Sequence, residues 1–171
     1  RAQFQFGEVA VVVGLGILGQ LVTQYLAAAG AHVIIVVDPF TARLDLAHRN
    51  GATHALAMTA QQAQEAVAEI TGGWMADVVF DVTGNPAALA PCTQLLRRLG
   101  RLVLLGDTPT PSQQHLGPSV LFKSIAILGL HGYAVPDRTT EFTPWTVETM
   151  SRLFFDYLER KKMDVSALVT H

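Results

Sequence analysis

The chain has 171 residues, half of them apolar and only 15% charged, with a formal net charge of -2. That length suits one domain with a sizeable core, and that charge excludes a basic nucleic-acid surface or a polybasic membrane signal. No run of 18 apolar residues is present to span a bilayer, a single cysteine excludes a disulfide framework or a cysteine-based zinc site, and with no signal-peptide pattern a cytoplasmic setting is the expectation.

"EVAVVV" (Glu8 to Val13) predicts a buried strand: short, β-branched and stopped by glycine. "ILGQLVTQYLAAAGA" predicts a helix, with Leu18, Leu21, Val22, Tyr25 and Leu26 at helical spacing and Gly30 as a stop. "HVIIVVD" (His32 to Asp38) is a second buried strand, "TARLDLAHRNGA" a helix closed by Gly51, and "THALAM" a short strand. "AQQAQEAVAEITGG" reads as an amphipathic helix, "ADVVFDVTG" as the fourth strand, "PAALAPCTQLLRRLG" as a helix and "RLVLLG" as the fifth strand. "DTPTPSQQHLGPS" reads as a loop, "SIAILGLHG" as the sixth strand, and Thr146 to Lys162 as the last helix. Apolar strands alternating with helices predict an α/β fold with a parallel sheet covered by helices on both faces.

Gly14, Gly16 and Gly19 stand at the spacing G-x-G-x-x-G between the first strand and the first helix. Asp38 ends the next strand, twenty-two positions after Gly16. Each part has a physical use. Gly14 permits a tight turn, Gly16 lets the backbone approach a pyrophosphate, and Gly19 lets the helix pack against the strand. The helix N-terminus offers N–H groups and a positive dipole end to the phosphates, and Asp38 accepts from a ribose hydroxyl. A carboxylate there disfavours a 2′-phosphate, so NAD is expected over NADP. A strand-end turn aspartate followed by Pro39 is the plainer alternative for Asp38. Arg43, five residues on, either blunts that preference with its positive charge or is a solvated helix arginine.

The ordered series resembles the coenzyme-binding domain of the medium-chain dehydrogenase/reductase family, the zinc-type alcohol dehydrogenases. "VVVGLGILGQLVTQYLAAAGAHVIIVVD" is similar to that family's first β-α-β unit, "RLDLAHRNGATHAL" to its next helix and strand, and "ADVVFDVTGNPAAL" to its fourth strand and following loop. "LLRRLGRLVLLGD", "FKSIAILGLHG" and "DVSALVTH" resemble the fifth strand, the sixth strand and the return to the catalytic domain. The resemblance implies a doubly wound Rossmann fold, a six-stranded sheet ordered 3-2-1-4-5-6, with residues 1–171 as one dinucleotide-binding domain. It also implies that the family's β-rich catalytic domain, with any zinc ligands, is absent from this chain.

By position, the resemblance implies that Gly14, Gly16, Ile17, Leu18 and Gly19 line the pyrophosphate and that Asp38 and Arg43 meet the adenosine ribose. Val82, Thr83 and Gly84 end the fourth strand beside the point where strand order reverses, and Leu105, Gly106 and Asp107 end the fifth. Ala126 and Leu128 are expected to meet the nicotinamide through backbone groups. For Val82 and Leu105 a sheet-core role is compatible with this, and for Asp107 a turn role is as good a reading.

Tyr157 and Lys161 copy the spacing of a short-chain dehydrogenase pair, but that family's glycine pattern is missing and a structural role is expected. The six histidines show no metal spacing; His131 is nearest the nicotinamide end, and Cys92 reads as packing. No nucleophile, acid–base pair or metal cluster is evident, so no catalytic or metal-binding residue is assigned. The intact protein is expected to transfer a hydride between NAD and an alcohol or carbonyl substrate. A regulatory nucleotide-sensing module is the alternative, and a methyltransferase is a weaker one. With the implied strand order, Ser124 to Leu130 forms an uncharged edge strand. In the resembled family two coenzyme domains pair there, so a homodimer through Ser124–Leu130 is expected; the alternative is that the loop 108–118 or the last helix covers the edge.

Overall fold

A computed structural model of the chain describes residues 2–132 and 135–168. Six strands, β1 (Val9–Val13), β2 (Val33–Val37), β3 (His54–Leu56), β4 (Ala76–Asp81), β5 (Leu96–Leu104) and β6 (Ala126–Gly129), form one sheet in the order β3-β2-β1-β4-β5-β6. All five pairings are parallel. This is the order the resemblance implies, and it puts the reversal of strand order between β1 and β4.

β1 and β2 are apolar throughout because both faces of the sheet are buried at its centre. On one face Val11, Val13, Ile35, Val37 and Val79 pack with Val67 of α3 (Gln64–Ile70) and with Leu89 and Cys92 of α4 (Leu89–Gln94). On the other, Ala10, Val12, Ile34, Val36, Val78 and Phe80 pack with Leu26 of α1 (Ile17–Ala28) and with Leu44 and Ala47 of α2 (Thr41–Arg49). The alternation of side chains along each strand divides the run between the two cores. Each fully buried Val, Ile or Leu contributes about 1.5–3 kcal/mol.

Three segments depart from the sequence reading. The helix expected over "PAALAPCTQLLRRLG" is a 3-10 turn at Pro86–Ala88 followed by the short α4, and β5 starts at Leu96. The reason lies in the neighbours of "LRRLG". Leu95 and Leu96 are fully buried, Arg97 pairs with Asp77 of β4, and Lys123 Nζ donates to the carbonyls of Gln94 and Leu96. The strand bulges here: Ala76 faces Leu96 but Val78 faces Arg101, and Leu99 takes a positive φ of 59°. A four-residue helix, α5 (Ser119–Phe122), stands beyond the expected loop. The last helix, α6 (Val147–Glu159), is shorter than expected, and its start is fixed by a capping box between Thr146 and Thr149. Among the described residues no helix is long and apolar enough to cross a membrane. Of the stretch "DVSALVTH", residues 169–171 lie outside the described residues.

Candidate cofactor site

The carboxyl ends of β1, β2 and β4 open onto one cavity of about 350 Å³. Its floor is the loop from β1 to α1. Gly14 has a φ of 90° and its N–H donates to the carbonyl of Val37. A methyl group on Gly19 would collide with the carbonyl oxygen of Gly14, so the glycine lets α1 close onto the loop. Gly16 is different: a methyl group there would meet nothing within 4 Å. The space beside it is open, and it lies at the start of α1, which has neither a side-chain cap nor an acidic residue in its first turn. Ile17 and Leu18 expose their side chains on that turn. An anion finds there the free N–H groups and positive dipole end of a twelve-residue helix.

Asp38 follows β2 and is 3% exposed. Its Oδ2 accepts from the Leu15 N–H at 2.8 Å, its Oδ1 accepts from the Phe40 N–H at 2.9 Å, and Arg43 Nη1 stands 3.4 Å from Oδ2. Two lone pairs per oxygen leave Oδ1 able to accept one more donor, such as a hydroxyl. The backbone bond to Leu15 also ties the acid to the glycine loop.

The loops after β1, β4 and β5 are stacked backbone on backbone. A methyl group on Gly14 would stand 3.0 Å from Thr83 Cγ2. One on Gly84, whose φ is 64°, would stand 2.6 Å from the Asp107 carbonyl oxygen, and one on Gly106 would strike the Gly84 nitrogen. Beneath them the buried Asp81 accepts from the N–H and hydroxyl of Thr83 at 3.0 and 2.8 Å. Burial pushes the Asp81 carboxyl above its ordinary range, and the two Thr83 bonds pull it part of the way back.

Of the residues singled out in the sequence, the cavity brings together Gly14, Gly16, Asp38, Arg43, Val82 and Thr83. Phe40, Met58, Thr59 and Asn85 join them, none of which the sequence reading selected. Their signal was positional: Met58 and Thr59 follow a parallel strand, so they stand at the same edge of the sheet as Asp38. Leu105 lies outside this cavity and lines another of about 300 Å³ with Leu130, His131, Trp145 and Met150. Asp107 is exposed on its loop.

Ala126 and Leu128, expected to meet the nicotinamide, both lie within β6. Ala126 pairs with Arg101, and Leu128 with Val103, both inside the ladder. Arg101 in turn bonds Glu8 and the carbonyl of Ala2 before β1 begins, so Ala126 stands toward the amino end of the sheet. The residues of this segment that reach the carboxyl end beside Leu105 are Leu130 and His131; the Leu130 N–H donates to the Leu104 carbonyl.

Tyr157 packs its ring against Tyr25 at 6.3 Å and carries Lys162 over its face, which joins α6 to α1 away from the cavity. Cys92 is fully buried, and burial, with the nearby Asp81 charge second, pushes its thiol well above the ordinary range. Among the described residues no group of three or more His, Cys, Asp or Glu could hold a metal ion.

A doubly wound sheet, a glycine loop feeding an uncapped helix and a carboxylate at the end of β2 define a dinucleotide-binding domain. The chain belongs to the zinc-binding dehydrogenase family, which it matches over residues 18–149. It is 35% identical over 137 residues to the sorbitol dehydrogenase of Bacillus subtilis (strain 168), covering 78% of this chain and 38% of that protein. The benzyl alcohol dehydrogenase of Acinetobacter calcoaceticus shares the fold, with a TM-score of 0.83 over 99% of this chain and 44% of that one at 23% identity. A zinc-binding dehydrogenase from Sinorhizobium meliloti 1021, solved bound to NADP, aligns with a TM-score of 0.65 and 26% identity over 74% of this chain and 38% of that one. The chain thus spans about two fifths of the length of the relatives it matches.

Proposed function

We propose that this chain is the coenzyme-binding part of an oxidoreductase that moves a hydride between a nicotinamide dinucleotide and an alcohol or carbonyl carbon. The observation that carries this is the meeting of the open space at Gly16, the uncapped start of α1 and the Asp38 carboxylate in one cavity. The cofactor supplies the hydride chemistry when bound. The chain's own residues bind and orient it: the Gly14–Gly19 loop and the first turn of α1 take the pyrophosphate, and Asp38 accepts from the adenosine ribose. Val82, Thr83, Leu105 and Leu130 flank the path toward the nicotinamide end. Membership of a dehydrogenase family favours this over the regulatory alternative.

NAD is the cofactor in this proposal, because the Asp38 charge opposes a 2′-phosphate. Residues outside this chain would supply substrate contacts and any zinc, in a cytoplasmic protein. The test is calorimetric titration of the chain with NADH and NADPH at one salt concentration. Tighter NADH binding, with the gap narrowed by Asp38→Ala, is expected; binding of neither sinks the assignment, and a preference for NADPH overturns the role given to Asp38.

A homodimer through Ser124–Leu130 belongs to the same proposal. β6 ends the sheet. Because the Leu130 N–H points to β5, alternation turns the N–H groups of Ile127 and Gly129 outward, where a second copy can pair with them. Light scattering over a dilution series should show a dimer that Ile127→Pro dissociates with the fold kept. A monomer at high micromolar concentration, or a dimer indifferent to the proline, counts against it.

A further inference from the structure

Phe40 precedes α2 as its N-cap, and the residue is 60% exposed on the wall of the cofactor cavity. The guanidinium carbon of Arg43 lies 4.8 Å from the centroid of that ring, within the roughly 6 Å over which a cation and an aromatic face attract. The same guanidinium reaches Asp38 Oδ2 at 3.4 Å, longer than the roughly 2.7–2.9 Å of a good charge-assisted bond. The carboxylate alone therefore holds Arg43 loosely, and the ring supplies the second support. Phe40 is itself fixed, since its N–H donates to Asp38 Oδ1 at 2.9 Å and its carbonyl accepts from the Arg43 N–H at 3.1 Å. Asp38, Phe40 and Arg43 each touch the other two.

The consequence is electrostatic. Asp38 alone presents a full negative charge to whatever approaches the ribose 2′ position. With Arg43 held on it, the pair is close to neutral, and the Arg43 side chain is still half exposed with N–H donors to spare. We infer that Phe40 is a selectivity-determining residue for the cofactor: by stacking on Arg43 it keeps the guanidinium on Asp38 and so weakens the discrimination against a 2′-phosphate. This rests on the dinucleotide reading above and adds to it a residue that acts through another. Without the ring, Arg43 is free to swing into water, Asp38 regains its charge, and the preference for NADH sharpens.

The experiment is a fluorescence titration of the 171-residue chain with NADH and with NADPH, for the unmodified protein and for Phe40→Leu, Phe40→Tyr, Arg43→Ala and the double variant Phe40→Leu/Arg43→Ala. Phe40→Leu should raise the ratio of the NADPH to the NADH dissociation constant about two- to fivefold, the range a partly exposed cation–aromatic contact commands. NADH binding should change less than the ratio does. Phe40→Tyr should keep the ratio, and the double variant should show no more than Arg43→Ala. An unchanged ratio in Phe40→Leu overturns the inference while leaving the cofactor site intact. So does a shift that persists undiminished in the Arg43→Ala background, because the ring would then act on the nucleotide itself. If the unmodified chain binds neither dinucleotide, the dinucleotide reading and this inference fall together. Phe40 is exposed, and matched thermal melts separate loss of fold from loss of binding.

Discussion

The side-chain amide of Gln24 trades two hydrogen bonds with the backbone of Asp164: Nε2 donates to the carbonyl at 2.9 Å, and Oε1 accepts from the N–H at 2.7 Å. The two residues are 140 positions apart. Gln24 is buried on α1, and Met163 beside the clasp is buried as well. The segment after α6 is thus latched to the first helix by one polar side chain. Gln24→Leu keeps the volume but leaves both groups of Asp164 without their partner, at a cost of about 1–3 kcal/mol. A lower urea midpoint together with faster amide exchange at Asp164 is expected; unchanged exchange there would show that the latch holds nothing.

Gly16 and Gly19 are three residues apart and should respond oppositely to alanine. At Gly19 the new methyl group meets the backbone of Gly14, which cannot move without dragging Asp38 and Thr83. A stability loss of about 2–3 kcal/mol is expected, even after the gain in helix propensity. At Gly16 the methyl group enters open space. Chemical denaturation should show a loss there of about 1 kcal/mol or less, while NADH affinity falls about tenfold, or about 1.4 kcal/mol. Unimpaired binding by Gly16→Ala would mean that the open space is not where the cofactor lies.

Asp81 makes stability depend on pH in a direction unusual for a carboxylate. Its folded value is raised, chiefly by burial, above the ordinary 3.8. Between the unfolded value and the raised folded one, the native state holds more protons than the unfolded state, so stability falls as pH rises through that window. Above the window the cost of burying the charge is constant, and below it the cost is absent. In a comparison of unfolding free energies from pH 3 upward, Asp81→Asn should lack this downward component. A slope indistinguishable from that of the parent would show that Asp81 titrates normally.

Cys92 lies at the other end of the same pair. Its thiol is buried and pushed upward by burial and by the Asp81 charge, so little thiolate is available to react. Thiol-reactive dye should label the native chain at the rate of global or sub-global opening and label fully in urea. Fast labelling at neutral pH without denaturant would contradict the burial.

The first half of this architecture is legible in the sequence because β1 and β2 are buried on both faces. "VAVVV" and "VIIVV" leave no room for another reading, and the glycine loop and Asp38 follow at a spacing set by one helix and one strand. The second half is less legible because its local signals compete with distant contacts. "LLRRLG" has helical spacing, yet Asp77 and Lys123 pull it into a strand. β6 is four residues long, and nothing within it fixes which residue reaches the carboxyl end; only the pairing of Leu104 with Gly129 does. Phe40, Met58 and Thr59 belong to the cavity through where their strands stop, a property of the sheet rather than of the residues.

The stacked loops after β1, β4 and β5 carry a consequence for how such a site can be remodelled. Gly84 and Gly106 each face backbone at a distance that admits no side chain, and Gly14 holds a φ of 90° against Thr83, so the floor of the cavity cannot be reshaped one position at a time. A larger residue in any of the three loops displaces its neighbour, and through Leu15 and Asp38 the disturbance reaches β2. The rim is under less restraint: Phe40 and Thr59 are exposed at the cavity edge, and neither side chain hydrogen-bonds main chain, whereas Asn85 beside them caps the turn at Pro86–Ala88. New cofactor or ligand preferences in this scaffold should therefore be sought by varying the rim while the floor is left as an invariant platform, much as a tool is refitted by changing its jaws and not its frame.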